Sequence, residues 1–162
     1  MIRVLFVCLG NICRSPMAEA VFRELVHKEG LSDKIEVDSS GTGDWHIGQQ
    51  PHSGTRALLD REHISYEGMK ARQFSVQDLD TFDYIVAMDD KNINDLKGFH
   101  NDPNSAAIKK LMDFVNEPLE SDIPDPYYTG DFDYTYKLVS EGCINLLQHI
   151  KEKHGDTLKE RM

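Results

Sequence analysis

The stretch VLFVCLGNICRSPMAEAVF, residues 4–22, combines the pattern of a strand with the pattern of a helix and places a cysteine and an arginine between them. Its first half is an apolar run typical of a buried strand, which ends at Cys8, and its second half has the apolar spacing of a helix. Ser15 is a candidate N-cap, and Pro16 fits the first helical position, where its missing N–H costs nothing. Cys8 and Arg14 therefore flank one short connection between a strand and a helix.

Strands and helices alternate along the rest of the chain. Strands are predicted at residues 2–7, 34–38 and 84–87, and helices at residues 15–30, from 51 to about 64, at 89–96 and at 132–150. Residues 108–112 fit either a fourth strand or a helix. This alternation predicts an α/β fold whose parallel sheet is covered by helices on both faces. Ligands bind such sheets beyond the carboxyl ends of the strands, which is where Cys8 stands.

Length and composition indicate one domain of ordinary globular character over residues 1–162, with the last few residues as a frayed tail. The formal net charge of −10 argues against a nucleic-acid partner. The longest apolar run is far shorter than the roughly 20 residues that span a bilayer, and no secretory signal pattern is present. Three cysteines favour a reducing cytosol over a disulfide framework, and no His or Cys spacing matches a metal site. We therefore expect a cytoplasmic protein without a membrane partner or a metal.

The connection at residues 9–13 has the composition of a phosphate-binding loop. Gly10 and Asn11 readily accept positive φ, so the loop can turn successive N–H groups inward. Such a ring of amides at the start of a helix binds a dianion, and the planar guanidinium of Arg14 can hold two phosphate oxygens at once. The same field favours the thiolate form of Cys8, which would attack phosphorus in line while the amides and Arg14 stabilise the equatorial oxygens.

Cys8 also has a simpler interpretation as a buried core cysteine that ends a strand. The joint placement of Gly, Asn, Arg, Ser and Pro around it favours phosphate chemistry. Ser15 would then donate a hydrogen bond to Cys8 and make its sulfur a better leaving group. A nucleotide-binding loop is not supported, since G-x-x-x-x-G-K-[ST] occurs nowhere and GTGDWHIG, residues 41–48, fits no phosphate-loop or dinucleotide pattern.

Phosphoryl transfer also needs a proton for the leaving oxygen and later a base for water, and one carboxyl group can serve both steps. Among 28 acidic residues, Asp125 in DIPDPYYTGD, residues 122–131, stands out because it lies between two prolines ahead of the last helix. Tyr127 and Tyr128 would form an aromatic wall for the ring of a substrate. An ordinary surface turn is an equal alternative for this stretch alone.

Over nearly its whole length the sequence resembles the low-molecular-weight protein tyrosine phosphatases. VCLGNICRSPMAEAVF, residues 7–22, and DPYY, residues 125–128, match the two signatures of that family at opposite ends of the chain. The resemblance implies a single α/β domain with a four-stranded parallel sheet and a phosphate-binding loop after the first strand. It also implies hydrolysis of phosphotyrosine in protein substrates through a cysteinyl phosphate, without a cofactor.

The resemblance further implies roles for individual residues. Cys8 is the nucleophile, Arg14 binds the phosphate, and Asp125 is the general acid and then the general base. It implies two further groups of residues. One group binds phosphate or supports the loop: Leu9, Gly10, Asn11, Ile12, Cys13, Ser15 and Ser39. The other group lines the substrate pocket: Trp45, Tyr127 and Tyr128. Asp89 matches an aspartate near the loop. Several family members place a His that braces the loop where this chain has Met69, so we do not expect that support, and His46 and His52 are interpreted as loop histidines.

Three related functions are alternatives. Arsenate reductases of this fold use further cysteines in mid-chain, but this chain has none between Cys13 and Cys143. Protein arginine phosphatases typically carry Thr where this chain has Ile12 and Phe where it has Tyr127. A non-catalytic phosphotyrosine-binding module would most simply have lost Cys8 or Asp125. We therefore expect a tyrosine phosphatase that acts as a monomer. Because family members with a second loop cysteine form a reversible disulfide, the resemblance also implies one between Cys8 and Cys13.

Overall fold

A computed structural model of the chain describes residues 1–99, 107–155 and 158. Four strands form a parallel sheet in the order β2-β1-β3-β4: β1 (Ile2–Cys8), β2 (Ile35–Gly41), β3 (Tyr84–Ala87) and β4 (Ala107–Lys110). The four-stranded parallel sheet is thus confirmed. The undecided stretch at residues 108–112 is divided between β4 and a 3-10 turn, Leu111–Phe114. Residues 159–162, the end of the predicted frayed tail, lie outside the described residues.

Helices occupy the connections between the strands and the C-terminal part of the described chain. They are α1 (Arg14–Lys28), α2 (Ser53–Arg61), α3 (Asp78–Thr81), α4 (Asp90–Lys97), α5 (Pro126–Thr129) and α6 (Phe132–Lys153). The four longer helices were expected. The single turns α3 and α5 were not, because four residues give too short a pattern to show a helical period.

The side chains of β1 fill both faces of the sheet. Val4 and Phe6 pack into one apolar cluster with α1 and α6. Leu5 and Val7 point the other way, into a second cluster that includes Leu96 of α4. The part of a strand that is buried on both faces has no polar side, which explains why β1 is an uninterrupted apolar run after the exposed Arg3. The predicted layers of helices on both faces are therefore confirmed, and the carboxyl end of β1 lies at the centre of the sheet edge.

Helix α1 begins two residues earlier than the sequence predicts, at Arg14 instead of Pro16. Cys13 precedes its first residue and no side chain caps it, so Ser15 is not the N-cap and Pro16 is the third helical residue. Pro16 is tolerated there because the first N–H groups of a helix have no partner within the helix. The correction matters for the site, since the hydroxyl of Ser15 is available for other contacts.

Two kinds of feature are absent from the part of the chain that the structure describes. None of its helices combines the length and the apolar composition that crossing a bilayer requires. Within the same residues, no group of three or more His, Cys, Asp or Glu side chains is placed to hold a metal ion.

Candidate active site

Residues 9–13 form a tight loop between β1 and α1. Asn11 has a φ of 56°, a left-handed conformation that closes the turn and that asparagine tolerates better than most residues. Gly10 does not have a positive φ, which corrects the expectation for that residue. Its missing side chain matters for another reason, because a Cβ at Gly10 would lie 3.0 Å from Cδ2 of His46. The loop therefore lies directly against the segment that follows β2.

The side-chain amide of Asn11 supports the loop from inside. Its Oδ1 accepts a hydrogen bond from the backbone N–H of Arg72 (3.0 Å), which fixes the orientation of the amide. Both hydrogens of Nδ2 are then donated inward, to Oγ of Ser15 (2.7 Å) and to Oγ of Ser39 (3.0 Å). The structure thus brings together three residues for which a supporting role was predicted.

Glu19 is the buried end of this network. Its Oε1 accepts a hydrogen bond from Oγ of Ser39 (2.6 Å), and its other oxygen contacts Arg23. Burial raises the pKa of the Glu19 carboxyl, although Arg23 and the Ser39 hydrogen bond oppose that shift. Because Ser39 donates to Glu19, its oxygen is left to accept from Asn11. The directions of the hydrogen bonds from Asn11 to Ser39 and from Ser39 to Glu19 are therefore defined.

Ser15 contacts the sulfur of Cys8. Its Oγ accepts a hydrogen bond from Asn11, so its own hydrogen is directed either to Sγ of Cys8, 3.0 Å away, or to the carbonyl oxygen of Ser40, 3.4 Å away. The contact with sulfur is the closer one, well within the range for a hydrogen bond to that atom. Such a donor stabilises negative charge on Cys8, as in a thiolate.

Arg14 is almost completely buried, with 2% of its side chain exposed. Its Nη1 donates to Oδ2 of Asp89 (2.6 Å) and to the carbonyl oxygen of Ile123 (2.8 Å), and Nη2 lies 3.4 Å from Oδ2 of Asp125. Burial alone would lower the pKa of Arg14, but Cys8, Asp125 and Asp89 raise it, so the guanidinium stays charged. Asp89, whose role the sequence did not define, thus holds Arg14 in place.

Asp125 lies at the start of α5 and faces Arg14. Its Oδ1 accepts a hydrogen bond from the backbone N–H of Tyr127 (3.0 Å), which caps that short helix. Pro126 follows as the first helical residue, a position that suits its fixed φ. The carboxyl group is therefore held by the loop itself, and one fifth of it remains exposed to solvent.

A cavity of about 330 Å³ opens above Cys8. The residues that line it are Cys8, Leu9, Gly10, Ile12, Cys13, Trp45, His46, Asp125, Tyr127 and Tyr128. Cys8 is 3% exposed, whereas Trp45 and Tyr128 are 66% and 74% exposed, so the sulfur lies at the inner end and the aromatic rings lie at the rim. The structure thus brings Cys8, Asp125 and the three aromatic residues predicted for the pocket into one site.

Two histidines contribute more to the site than the sequence indicated. His46 lines the cavity, and its Nδ1 lies 3.0 Å from Oε1 of Gln49. Nδ1 of His52 accepts a hydrogen bond from the backbone N–H of Gly54 (3.0 Å), and its ring packs edge-on against Tyr127. One feature of the sequence indicated that His46 lies at the cavity, namely that it directly follows Trp45, a predicted pocket residue. Nothing local indicated the contact between His52 and Tyr127.

Met69 replaces the loop-bracing histidine of several family members. Its side chain is buried in the large apolar cluster and is 8% exposed. The stretch that contains it still supports the loop, because the backbone N–H of Arg72 binds Asn11. Arg72 is itself held by ion pairs with Asp38 (3.1 Å) and Asp78 (3.0 Å).

Cys13 lies beside the cavity as a buried free thiol. Burial raises the pKa of the Cys13 thiol to about 12, and the nearby Cys8 and Asp125 shift it in the same direction. Its backbone carbonyl accepts a hydrogen bond from Oγ1 of Thr55 (3.2 Å). Its raised pKa favours the protonated form of Cys13 at neutral pH.

The chain is similar to known proteins over most of its length. Residues 3–156 match the family described as low molecular weight phosphotyrosine protein phosphatase. The low molecular weight protein-tyrosine-phosphatase YfkJ of Bacillus subtilis is 56% identical over 153 residues, which cover 94% of this chain and 98% of that protein. The low molecular weight protein-tyrosine-phosphatase PtpA of Staphylococcus epidermidis is 47% identical over 162 residues, which cover 99% of this chain and 100% of that protein.

Solved structures show the same fold. The crystal structure of YfkJ from Bacillus subtilis superposes with a TM-score of 0.92 at 56% identity and covers 94% of this chain and 96% of its own. The crystal structure of DARP, a drosophila arginine phosphatase, superposes with a TM-score of 0.84 at 36% identity and covers 91% of this chain and 97% of its own.

Proposed function

Since the chain belongs to the family of low molecular weight phosphotyrosine protein phosphatases, we propose that it hydrolyses phosphotyrosine in proteins through a phosphocysteine formed on Cys8. The observation that supports this most directly is the position of Cys8 at the inner end of a cavity, with Arg14 and Asp125 beside it. The enzyme class follows from the family, and the residue roles below are our proposal.

In the proposed complex the phosphate lies within the loop at residues 9–13 and against Arg14. Nε of Arg14 is buried and has no hydrogen-bond partner among the described residues, so it can donate to a phosphate oxygen without breaking an existing contact. Asp89 and the Ile123 carbonyl occupy the other side of the guanidinium and orient it. The loop amides and Arg14 together would stabilise the charge on the equatorial oxygens in the transition state.

In the first step the thiolate of Cys8 attacks phosphorus, and the bond between phosphorus and the tyrosine oxygen breaks. Asp125, in its protonated form, gives its proton to that leaving oxygen, so that neutral tyrosine departs. In the second step Asp125 takes a proton from water, and the water oxygen attacks phosphorus. The bond between sulfur and phosphorus breaks, inorganic phosphate is released and Cys8 returns to its thiolate form, which Ser15 stabilises through the 3.0 Å contact.

The shape of the cavity favours phosphotyrosine over phosphoserine. Because Cys8 is buried and the rings of Trp45 and Tyr128 stand at the rim, a long flat side chain reaches the sulfur and a short one does not. Ile12 lines the cavity and is 7% exposed, so it presents apolar surface where a guanidine group would need polar partners. Phosphoarginine is the second candidate substrate, since the fold is shared with an arginine phosphatase.

The experiment that tests the proposal compares kcat/KM on three peptides of one sequence that carry phosphotyrosine, phosphoserine or phosphoarginine. We expect the highest value on phosphotyrosine. Cys8→Ser serves as the control, because it should bind the phosphotyrosine peptide without turning it over. Comparable kcat/KM on phosphoarginine would overturn the substrate assignment, and Ile12→Thr is the substitution expected to move selectivity in that direction.

We also propose that the enzyme is redox-sensitive and acts as a monomer in the cytosol, without a metal, cofactor or nucleic-acid partner. Its three cysteines are free and buried, which suits a reducing compartment. Cys8 and Cys13 line the same cavity, so a disulfide between them would protect the nucleophile from irreversible oxidation. The proposed catalytic unit is the whole chain, because the loop near the N-terminus and Asp125 near the C-terminus form one site.

A further inference from the structure

Trp45 stands between two hollows on the surface. One is the cavity above Cys8, and the other is a hollow of about 320 Å³ on the opposite side of the ring. Leu9 and Trp45 line both of them. The two hollows are therefore neighbours, and the second lies within reach of a residue next to a phosphotyrosine bound in the first.

Gly43 lies under the ring of Trp45 and allows it to stand where it does. A Cβ at Gly43 would lie 1.9 Å from Cζ3 of Trp45, a distance that no side chain could occupy. The backbone N–H of Gly43 donates to the carbonyl oxygen of Leu9 (2.9 Å). The wall between the hollows is thus built onto the phosphate-binding loop rather than onto a separate surface loop.

The second hollow combines apolar and charged side chains. Leu9, Trp45 and Phe99 supply its apolar surface, and Lys91 and Asp95 approach it from one face of α4. Oδ2 of Asp95 already accepts a hydrogen bond from Oγ1 of Thr42 (3.3 Å), and Thr42 also lines the hollow.

Lys91 is the free charge of the second hollow. It is exposed and forms no ion pair within the described part of the chain, although Asp95 lies one helical turn away. Among the residues that the structure describes, no other lysine or arginine lines either hollow. In a chain with a net charge of −10, an unpaired ammonium group beside the pocket favours the binding of a negative group there.

We propose that the second hollow is a subsite for an acidic residue next to the phosphotyrosine, whose aliphatic stem lies against Trp45 and whose carboxylate pairs with Lys91. The proposal rests on the proposed phosphotyrosine activity and narrows its substrate class to peptides with a Glu or Asp neighbour. A glutamate has the required chemistry, since its methylene groups suit the apolar wall and its head group suits the ammonium.

The test uses peptides of equal length with a central phosphotyrosine and alanine elsewhere, into which Glu, Gln or Lys is placed directly before or directly after the phosphotyrosine. Because an exposed ion pair contributes little, we expect kcat/KM for Glu to exceed that for Gln by about 2- to 5-fold at one of the two positions. The Lys peptide should be the poorest of the three. The preference should shrink as salt rises from about 0.1 M to about 1 M, since the screening length falls from about 10 Å to about 3 Å.

Charge variants separate this subsite from a general effect of the surface. Lys91→Met should abolish the preference for Glu, and Lys91→Glu should reverse it in favour of Lys. Lys97→Met is the matched control, because it removes the same charge from the same helix but Lys97 lines neither hollow. Its Glu-to-Gln ratio should equal that of the parent.

The possible failures are distinguishable. Equal kcat/KM on the Glu, Gln and Lys peptides, or a preference for Glu that survives Lys91→Met, would overturn the subsite and leave the phosphatase activity standing. A preference for the Lys peptide would mean that Asp95, and not Lys91, selects the neighbouring residue, and it would overturn the subsite for an acidic residue. Absence of turnover on every phosphotyrosine peptide, with turnover on phosphoarginine, would overturn the proposed function itself.

Discussion

Nζ of Lys110, at the end of β4, lies 2.9 Å from Oδ1 of Asp122, in the loop that leads to Asp125. The same ammonium group lies 3.0 Å from Oδ1 of Asp90, and its side chain is only 12% exposed. Burial alone would lower the pKa of Lys110, but the contacts with Asp122 and Asp90 outweigh that effect and raise the pKa, so the group stays charged. The loop is also held by a hydrogen bond from the Ile123 N–H to the carbonyl oxygen of Met88 (2.9 Å).

Lys110→Met should therefore impair proton transfer from Asp125. Without its ammonium partner Asp122 keeps, among the described residues, only the hydrogen bond from the Asp90 N–H (3.2 Å), so the loop is held less firmly. A displacement of the acid by about 1 Å can cost up to about 100-fold in rate. We expect kcat on phenyl phosphate, whose leaving group needs a proton, to fall by about 10-fold or more, and kcat on p-nitrophenyl phosphate to fall less. Lys110→Arg should restore most of the difference, because it keeps the charge.

Lys109→Met is the matched control for that variant, since Lys109 is the exposed neighbour of Lys110 on β4. Both kcat values of this control should equal those of the parent. If Lys110→Met lowers the two kcat values equally, the ion pairs stabilise the fold but do not position the acid.

Asp125→Asn should remove the proton donor and leave the rest of the site intact. We expect kcat on phenyl phosphate to fall by roughly 10²- to 10⁴-fold, the usual contribution of a general acid. The loss on p-nitrophenyl phosphate should be smaller, since that leaving group departs as an anion. An identical loss on both substrates would mean that another residue supplies the proton.

The strands of the sheet were predictable to different degrees. β1 and β3 are buried on both faces and therefore show as continuous apolar runs in the sequence. The end of β2 was missed, because its last residues, Ser39, Ser40 and Gly41, have the composition of a loop. These residues are buried, and the hydroxyl of Ser39 takes part in the network below the phosphate-binding loop. Because the site needs polar groups inside the fold, the strand that carries them lacks the apolar pattern by which a buried strand is predicted.

The site itself was predictable where its residues are close in sequence. Cys8 and Arg14 could be related because one short loop contains both. The role of Asp89 could not be derived in this way, since Asp89 and Arg14 are 75 positions apart and meet only because β1 and β3 are neighbours in the sheet. The contact of His46 with Gly10 likewise depends on the path of the segment after β2, which no local pattern defines.

Arg14→Lys should be severe although it keeps the positive charge. One ammonium group cannot contact Asp89, the Ile123 carbonyl and a phosphate together with the geometry that the planar guanidinium provides. We expect kcat on p-nitrophenyl phosphate to fall by roughly 10²- to 10³-fold, as for the loss of one well-placed donor to the transition state. Inhibition by inorganic phosphate should weaken in the same variant. Normal turnover by Arg14→Lys would exclude the proposed two-point contact.

Ser15→Ala should slow the second chemical step more than the first. The hydroxyl at 3.0 Å stabilises the sulfur of Cys8 as it leaves phosphorus, so its loss makes the phosphocysteine longer-lived. Rapid mixing with p-nitrophenyl phosphate should then show a burst of nitrophenol that approaches one equivalent of enzyme, followed by slower turnover. Ser140→Ala is the control, because that buried hydroxyl on α6 has no partner among the described residues. A slower burst with unchanged steady-state turnover would place the effect of Ser15 on the first step.

The redox proposal makes a prediction that depends on pH. Peroxide converts the Cys8 thiolate to a sulfenic acid, and the Cys13 thiolate then attacks that sulfur. An S–S bond forms, the S–O bond breaks, and the hydroxide that leaves takes a proton from solvent and becomes water. Burial raises the pKa of Cys13 to about 12. Below that pH, the fraction of Cys13 present as thiolate increases about tenfold with each unit by which the pH increases. The fraction of activity that a dithiol restores after peroxide treatment should therefore increase from about pH 7 to about pH 9.

Cys13→Ser should remain active but recover less than the parent at every pH, because its sulfenic acid has no partner and is oxidised further. Cys143→Ala is the control for a general loss of thiols, since Cys143 is completely buried on α6 and lines neither hollow. Its recovery should match that of the parent. Inorganic phosphate should protect both variants from inactivation, because it occupies the loop around Cys8. If Cys13→Ser recovers as fully as the parent, or if mass spectrometry finds no Cys8–Cys13 link, the thiol of Cys13 has only a packing role.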